Sequence, residues 1–354
     1  MTRVALDLLG GDHAPASAVD GALLVAERTP HVEVLLVGPV AVAEQLLSDR
    51  GATGRFRLVE ATQVVEMDED PARGVRAKRD ATVRVAARLV RDGEADAMVS
   101  VGSTGAALAA AVFTLGRLRG MSRPALAAVI PSRSGPLVFL DAGAGTEATV
   151  ELLTQFALAG AAFASIRLDL ASPRVGLLSI GEEPGKGDEL RKQAYDALAR
   201  LPIDFVGNVE GSDVPYGRRA DVVVTDGFTG NVLAKGLEGA ASMLTELFRE
   251  ALTSTPERAA AAAALLPALN EATASMDPDA LGGAVLLGVK GVVVVGHGAS
   301  SPEAVASCVG VAAQAARQGL VPRIAGALSD LLERSGPDLL SRSGPVAAPP
   351  VGAG

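Results

Sequence analysis

The residues best suited to chemistry lie in turns bounded by glycine. Gly181-Glu182-Glu183-Pro184-Gly185-Lys186-Gly187 holds one lysine between two glycines, just ahead of a helical stretch. An ammonium there can approach a phosphate or an oxyanion closely, and it can equally be a solvated loop lysine. The spacing is not that of a P-loop, because a glycine follows the lysine where a Ser or Thr would be needed. A nucleoside triphosphate mechanism loses support accordingly. Gly207-Asn208-Val209-Glu210-Gly211 and Asp226-Gly227-Phe228-Thr229-Gly230-Asn231 each put an amide and a carboxylate in a turn after an apolar run. An Asn side chain can donate to a developing oxyanion, although Asn also fits left-handed turn positions. Ser103-Thr104-Gly105 opens the apolar helix Ala106–Leu115. Hydroxyls and free N–H groups at a helix start make either an anion site or an ordinary cap.

Other reactive types are sparse. Of His13, His31 and His297, the second follows a proline at the surface, and the others stand beside glycines at strand ends. Either of those two can touch a ligand or simply turn the chain. No Ser-His-Asp order, G-x-S-x-G elbow or H-E-x-x-H pair occurs, so serine and zinc mechanisms lack support. The single Cys308 permits no internal disulfide and reads as a small buried hydrophobe. A basic stretch runs through Arg73, Arg76, Lys78 and Arg79 to Arg84, Arg88 and Arg91. The last three recur at helical spacing and share a face, with Val83, Ala86 and Val90 opposite. A cationic stripe invites an anionic partner, and the alternative is a solvated face with acidic neighbours.

The elements that must carry these turns are short apolar runs without polar alternation, at 4–7, 32–37, 97–101, 137–140, 174–180, 204–206, 221–225 and 292–295. Such runs predict strands buried on both faces. Helical stretches at 14–28, 82–91 and 188–200 separate them. The alternation predicts an α/β fold, a mainly parallel sheet between two helical layers. Nearly every run ends in Gly, Asp, Asn, Ser or Thr, and open α/β sheets bind ligands beyond the carboxyl ends of their strands. The spacing therefore predicts one polar cleft. Leu237–Ser275 is helical and Ala-rich, with Pro256 and Pro267 as breaks, and reads as a helical excursion from a single domain spanning 1–334. The Gly/Pro/Ser/Ala-rich segment 335–354 reads as a disordered tail.

Composition bounds the class. The chain has 354 residues and a formal charge of -9, which argues against non-specific nucleic-acid binding. With 8 Phe, 2 Tyr and no Trp, base-stacking platforms are not expected. Hydrophobic residues make up 49% and charged residues 21%, which excludes a largely disordered chain. Glycine, proline or charge interrupts each apolar run before it could span a membrane. Asp7 and Gly10-Gly11-Asp12 break the first apolar stretch, so no signal peptide is read there and a cytoplasmic location is the expectation.

Taken in order, these pieces resemble the phosphate acyltransferase (PlsX) family of bacterial phospholipid synthesis. The resemblance rests on Ala5-Leu6-Asp7-Leu8-Leu9-Gly10-Gly11-Asp12, Asp70-Pro71 with Arg76-Ala77-Lys78-Arg79-Asp80, and Gly102-Ser103-Thr104-Gly105. It continues through Arg123-Pro124-Ala125-Leu126, Leu140-Asp141-Ala142-Gly143-Ala144, Gly176–Glu183 with Lys186-Gly187, and the Asn208 and Asn231 turns. It ends in Gly282-Gly283-Ala284, Leu287–Gly291 and Gly298, so it spans nearly the whole chain except the tail. The departure is Gly145, where the family usually has Asn.

The resemblance implies a three-layer α/β/α fold like isocitrate dehydrogenase and phosphotransacetylase. It implies a homodimer loosely attached to the inner face of the membrane, acting without a cofactor. The implied reaction moves a fatty acyl group from acyl carrier protein to inorganic phosphate, and the acyl phosphate feeds a glycerol-3-phosphate acyltransferase. Phosphate is itself a nucleophile, so the protein's task is positioning, which can supply up to about 7–11 kcal/mol. Lys186 and Asn231 are the implied catalytic residues, as phosphate ligand and oxyanion donor. Ser103, Thr104 and Asn208 complete the pocket, and Asp7, Asp141, Asp226 and His297 are further substrate- or phosphate-binding candidates. Because the carrier is acidic, Arg76, Lys78, Arg79, Arg84 and Arg88 become its docking candidates. A phosphotransacetylase using a coenzyme A thioester, an NAD-dependent decarboxylating dehydrogenase and a membrane-associated carrier-binding scaffold are the competing readings. The dehydrogenase lacks a persuasive aspartate or nicotinamide signature, and retention of Lys186 and Asn231 counts against the scaffold.

Overall fold

The computed structural model describes residues 1–268 and 281–335. Its frame is one sheet of eleven strands in the order β3-β2-β1-β4-β11-β10-β5-β6-β9-β7-β8. These are β1 Thr2–Asp7, β2 Val32–Gly38, β3 Arg57–Glu60, β4 Ala97–Ser100, β5 Ala125–Ile130, β6 Leu137–Leu140, β7 Arg174–Ser179, β8 Asp204–Glu210, β9 Val222–Val224, β10 Ala284–Leu287 and β11 Val292–Val295. Alternate residues of one strand serve opposite cores, as a pleat requires. Val4 and Leu6 join one core and Ala5 the other, and Val222 and Val224 face away from Val223.

One helical layer holds α1 (Ala16–Arg28), α2 (Val40–Asp49), α6 (Val150–Arg167), α7 (Glu189–Leu198), α10 (Pro302–Arg317) and α11 (Leu320–Ser335). The other holds α3 (Pro71–Ala77), α4 (Thr82–Arg91), α5 (Thr104–Thr114) and the first turns of α8 (Gly227–Thr253). The three-layer expectation is met. The Asp226 carboxylate caps α8, accepting from the Thr229 N–H, so the helix starts at Gly227, packs on the sheet through Leu233 and Leu237, and is exposed from Gly239 to Ala251. It runs to Thr253 and turns into α9 (Pro256–Ala263). The remainder of the expected excursion at 269–275, and the tail from 336, lie outside the described residues. Among the described residues no helix is long and apolar enough to cross a membrane.

The sheet is parallel in two blocks, β3-β2-β1-β4-β11 and β6-β9-β7-β8. Between them the β11/β10, β10/β5 and β5/β6 pairs are antiparallel. Three reversals leave the two blocks running in opposite directions. Their carboxyl ends therefore leave opposite edges of the sheet, and the single polar cleft expected from the strand ends becomes two polar sets.

Candidate active site

The first set gathers at the ends of β1 and β4. Asp7 is buried and accepts from the Ser100 hydroxyl at 2.7 Å, from the Leu9 N–H at 3.1 Å, and from Thr82. Burial pushes its carboxyl above the ordinary range, against the pull of these donors. A small cavity of about 150 Å³ opens beside it, lined by Asp7, Asp12, Glu66, Thr82, Ser100 and Ser103 among others. Ser103 caps α5 by accepting from the Ala106 N–H at 3.3 Å, and Thr104 is exposed at the first helical position. His297 is exposed; its carbonyl accepts from the Ser300 N–H and hydroxyl.

The second set gathers at the ends of β6, β7, β8 and β9. Asp141 is fully buried, and every bond it receives comes from a backbone N–H: Leu126, Gly143 and Ala144 on Oδ1, Gly145 on Oδ2, at 2.8–3.1 Å. Burial pushes this carboxyl up as well, with the four donors working against it. Its oxygens organise the 143–145 loop and are not available to a phosphate. A Cβ at Gly143 would lie 3.4 Å from Asn231, so this loop forms the wall behind that amide. Where the family resemblance leads one to expect Asn, Gly145 leaves room that the Arg123 guanidinium occupies. Arg123 also donates to the Glu147 carbonyl, and its Nε is buried without a partner among the described residues.

Asn208 is buried on β8. Its Nδ2 donates to the Glu183 carbonyl at 3.0 Å, and its Oδ1 has no partner among the described residues. It anchors the 181–187 loop from below rather than lining an open pocket. Lys186 is exposed in that loop with its side chain folded over Gly181, and its carbonyl accepts from the Ser179 hydroxyl at 3.2 Å. Asn231 is exposed on the first turns of α8. Neither side chain makes a hydrogen bond or ion pair among the described residues. Asp226 accepts from the Thr229 N–H at 2.9 Å, the Thr229 hydroxyl at 2.8 Å, and Arg191. Burial would raise its pKa, but those donors outweigh burial and hold it below the ordinary range.

No hydrogen bond among the described residues joins the two sets. One finding corrects the sequence reading. The basic stretch is largely committed internally. Lys78 bonds Glu69 at 2.6 Å and the Val64 carbonyl at 2.8 Å. Arg84 donates to the Val75 carbonyl at 2.8 Å, in the last turn of α3, and Arg88 to that of Arg79 at 2.7 Å, just beyond the helix. Arg91 pairs with Asp92. The expected stripe shrinks to the exposed Arg73, Arg76 and Arg79, with Arg76 lying 4.4 Å over the Phe113 ring. The residue that sequence reasoning missed is Arg191, which bonds Asp188, Asp226 and two threonine hydroxyls.

The protein resembles known enzymes over nearly its whole length. The family described as fatty acid synthesis protein matches residues 2–323. A phosphate acyltransferase of Desulfitobacterium hafniense is 46% identical over 92% of this chain and 96% of its own length. That of Heliobacterium modesticaldum is 44% identical over 91% and 96%. Among solved structures, a phosphotransacetylase from Streptococcus pyogenes aligns with a TM-score of 0.62 at 16% identity, covering 90% of this chain and 94% of that one. A branched-chain phosphotransacylase from Enterococcus faecalis gives 0.56 at 16%. At that identity the two structures speak for the fold. The chain belongs to the fatty acid synthesis protein family that includes these phosphate acyltransferases.

Proposed function

We propose that this member of the phosphate acyltransferase family transfers a fatty acyl group from acyl carrier protein to inorganic phosphate, and that the second polar set is the reaction centre. The observation that carries the assignment is the distribution of charge. A phosphate dianion needs an available cation, and Lys186 is exposed with no acceptor of its own among the described residues, in the loop that Arg191 ties to the turn ahead of Asn231. The Asp7 cavity has Asp12 and Glu66 in its lining and no lysine or arginine. Carboxylates around a dianion repel it, so that cavity is the weaker phosphate site.

In the mechanism, Lys186 binds the phosphate and screens its charge as it meets the thioester carbonyl. Asn231 donates to the oxygen that becomes negative. The carbon–sulfur bond breaks as the new carbon–oxygen bond to phosphate persists, and the carrier leaves as its thiolate. No enzyme nucleophile is needed, since phosphate attacks directly. Ser103, Thr104 and His297 lie with the first polar set and take no step in this reading.

Partners follow the same reading. Acyl carrier protein is acidic, and Arg73, Arg76 and Arg79 form the exposed cationic surface left to meet it. The α8 residues Met243, Leu244, Leu247 and Phe248 are each about half exposed, at 49–60%, which suits a second copy of the chain or a membrane surface. A cytoplasmic homodimer peripherally attached to the membrane, passing acyl phosphate to a glycerol-3-phosphate acyltransferase, fits these features.

The test mixes the protein with palmitoyl-acyl carrier protein, with and without inorganic phosphate. Hydroxylamine traps acyl phosphate, and the free carrier thiol is followed separately. Phosphate-dependent release of both products is expected. Product formation from a coenzyme A thioester but not from the carrier would replace the proposed donor. No phosphate dependence with either donor would overturn the reaction.

A further inference from the structure

Arg191 stands where its charge is least expected. It lies in the first turn of α7, where the helix dipole favours anions. Its acceptors explain its place. Nη1 donates to Asp188 at 2.8 Å, and Nη2 bonds Asp226 and lies 3.4 Å from the hydroxyls of Thr225 and Thr229. Only 12% of the Arg191 side chain and 10% of that of Asp226 remain exposed, so this ion pair is shielded from solvent.

The guanidinium reaches both halves of the proposed reaction centre. On one side its stem closes over Gly187, where a Cβ would lie 2.7 Å from Arg191 Cβ and 2.9 Å from Ser179 Oγ. Gly187 has φ +103, a conformation that side chains rarely adopt. Ser179 in turn holds the Lys186 carbonyl. The Lys186-Gly187 turn is thus pinned between Ser179 and Arg191. On the other side, Asp226 is the N-cap of α8, whose early turns carry Asn231. Among the described residues, the bonds of Arg191 are the only hydrogen bonds or ion pairs between 179–191 and 225–231.

We propose that Arg191 is a positioning residue for acyl transfer: one guanidinium sets the Lys186 turn against the start of α8, without touching either reactant. The inference rests on the reaction proposed above. Arginine is required because its planar fork can face carboxylates on two elements at once. A lysine supplies the same charge as a single point on a flexible stem. Lys186 and Asn231 act on two different reactants that must meet, and small displacements between such groups cost rate steeply.

The experiment uses the full-length protein in the phosphate-dependent hydroxamate and thiol assay, comparing Arg191→Ala, Arg191→Lys, Asp226→Asn and Arg191→Ala/Asp226→Asn. Arg191→Ala is expected to lose roughly 100-fold in kcat, with little change in the KM for acyl carrier. Sub-denaturing guanidinium ion should restore part of that loss in Arg191→Ala and none in the wild type. Arg191→Lys should melt close to wild type yet turn over slowly, which a purely structural role would not produce. The double variant should be no slower than the slower single, because both break the same link. Wild-type kcat in folded Arg191→Lys, additive losses in the double variant, or no guanidinium rescue of folded Arg191→Ala would each overturn the proposal. Should Arg191→Ala fail to fold, Arg191→Lys and Asp226→Asn decide it. A wild-type protein with no phosphate-dependent product would refute the acyl-transfer reading instead, before any variant is compared.

Discussion

Replacing Asp141 by Asn exchanges one oxygen for an NH2 group in a side chain that is fully buried. The wild-type carboxylate receives three N–H groups on Oδ1, from Leu126, Gly143 and Ala144, and one on Oδ2, from Gly145. An amide offers one acceptor oxygen. In its best orientation it keeps the three bonds and turns its NH2 towards the Gly145 N–H, donor against donor. Two buried donors then lack partners, at about 1–3 kcal/mol each. Relief from burying a charge offsets part of this, because burial already pushes the Asp141 carboxyl up. The net expectation is a loss of about 2–4 kcal/mol in unfolding free energy. Urea denaturation at neutral pH measures it, with an unchanged m-value as the sign that only stability moved. Turnover should fall too, since the Gly143 wall behind Asn231 belongs to the same loop. A loss below about 1 kcal/mol, or an intact turnover in a variant destabilised as expected, would refute the account of Asp141 as the organiser of this loop.

Three further outcomes follow from the geometry. Asn231→Ala should fold normally and raise the barrier by about 2.7–4 kcal/mol, as loss of an oxyanion donor does; near-wild-type turnover would remove Asn231 from the mechanism. Arg76→Glu with Arg79→Glu should raise the KM for carrier-bound substrate and flatten its salt dependence, whereas Lys78→Met should lower stability by freeing Glu69, and equal KM effects from all three would mean that the internal bonds of Lys78 do not matter. Asp7→Asn should be neutral or stabilising at pH 7, because the Ser100 hydroxyl can reverse its donation. A raised folded pKa means that wild-type stability falls as pH rises from about 4, so the variant's advantage should appear above that pH and vanish below it. An advantage that grows instead on acidification would show that Asp7 is ionised in the fold.

Most of the frame was legible because parallel strands buried on both faces are written as short, mainly apolar runs. Val292 to Val295 has no polar residue, and Val32 to Val37 has only Glu33. β5 and β10 were not. Ala125-Leu126-Ala127-Ala128-Val129-Ile130 is alanine-rich, and alanine has little strand preference. Ala284–Leu287 is brief and follows two glycines. Those are the strands that reverse the sheet, so overlooking them hid the separation of the Asp7 set from the Lys186 set. The opening turn of α8 carries Gly227 and Gly230, and each glycine costs a helix about 1 kcal/mol against alanine. The fold supplies the reason at Gly230, where a Cβ would overlap the Asp141 carbonyl: the helix comes this close to the loop only with glycine there. Arg191 was illegible because its decisive partner, Asp226, lies 35 residues further along the chain.

The arrangement divides the polar residues by whether their bonds are already made. Asp141, Asp226 and Arg191 are buried or nearly so, and each spends its polar atoms on holding one turn against another. Lys186 and Asn231 are exposed and make no such bonds among the described residues. Groups already bonded lose stability when removed, because a buried partner is left behind. Groups without partners before substrate arrives can be removed at little cost to the fold, and what they contribute appears only when charge develops on the reactants. The two classes should therefore separate on a plot of turnover against unfolding free energy. Lys186→Ala and Asn231→Ala should fall in rate at constant stability, and Asp141 and Asp226 variants should fall in both. A Lys186→Ala protein that unfolds as readily as Asp141→Asn would mean that the lysine is a structural element of its loop, and the phosphate ligand would then be sought at Arg219, whose guanidinium pairs with Glu182 of the same loop.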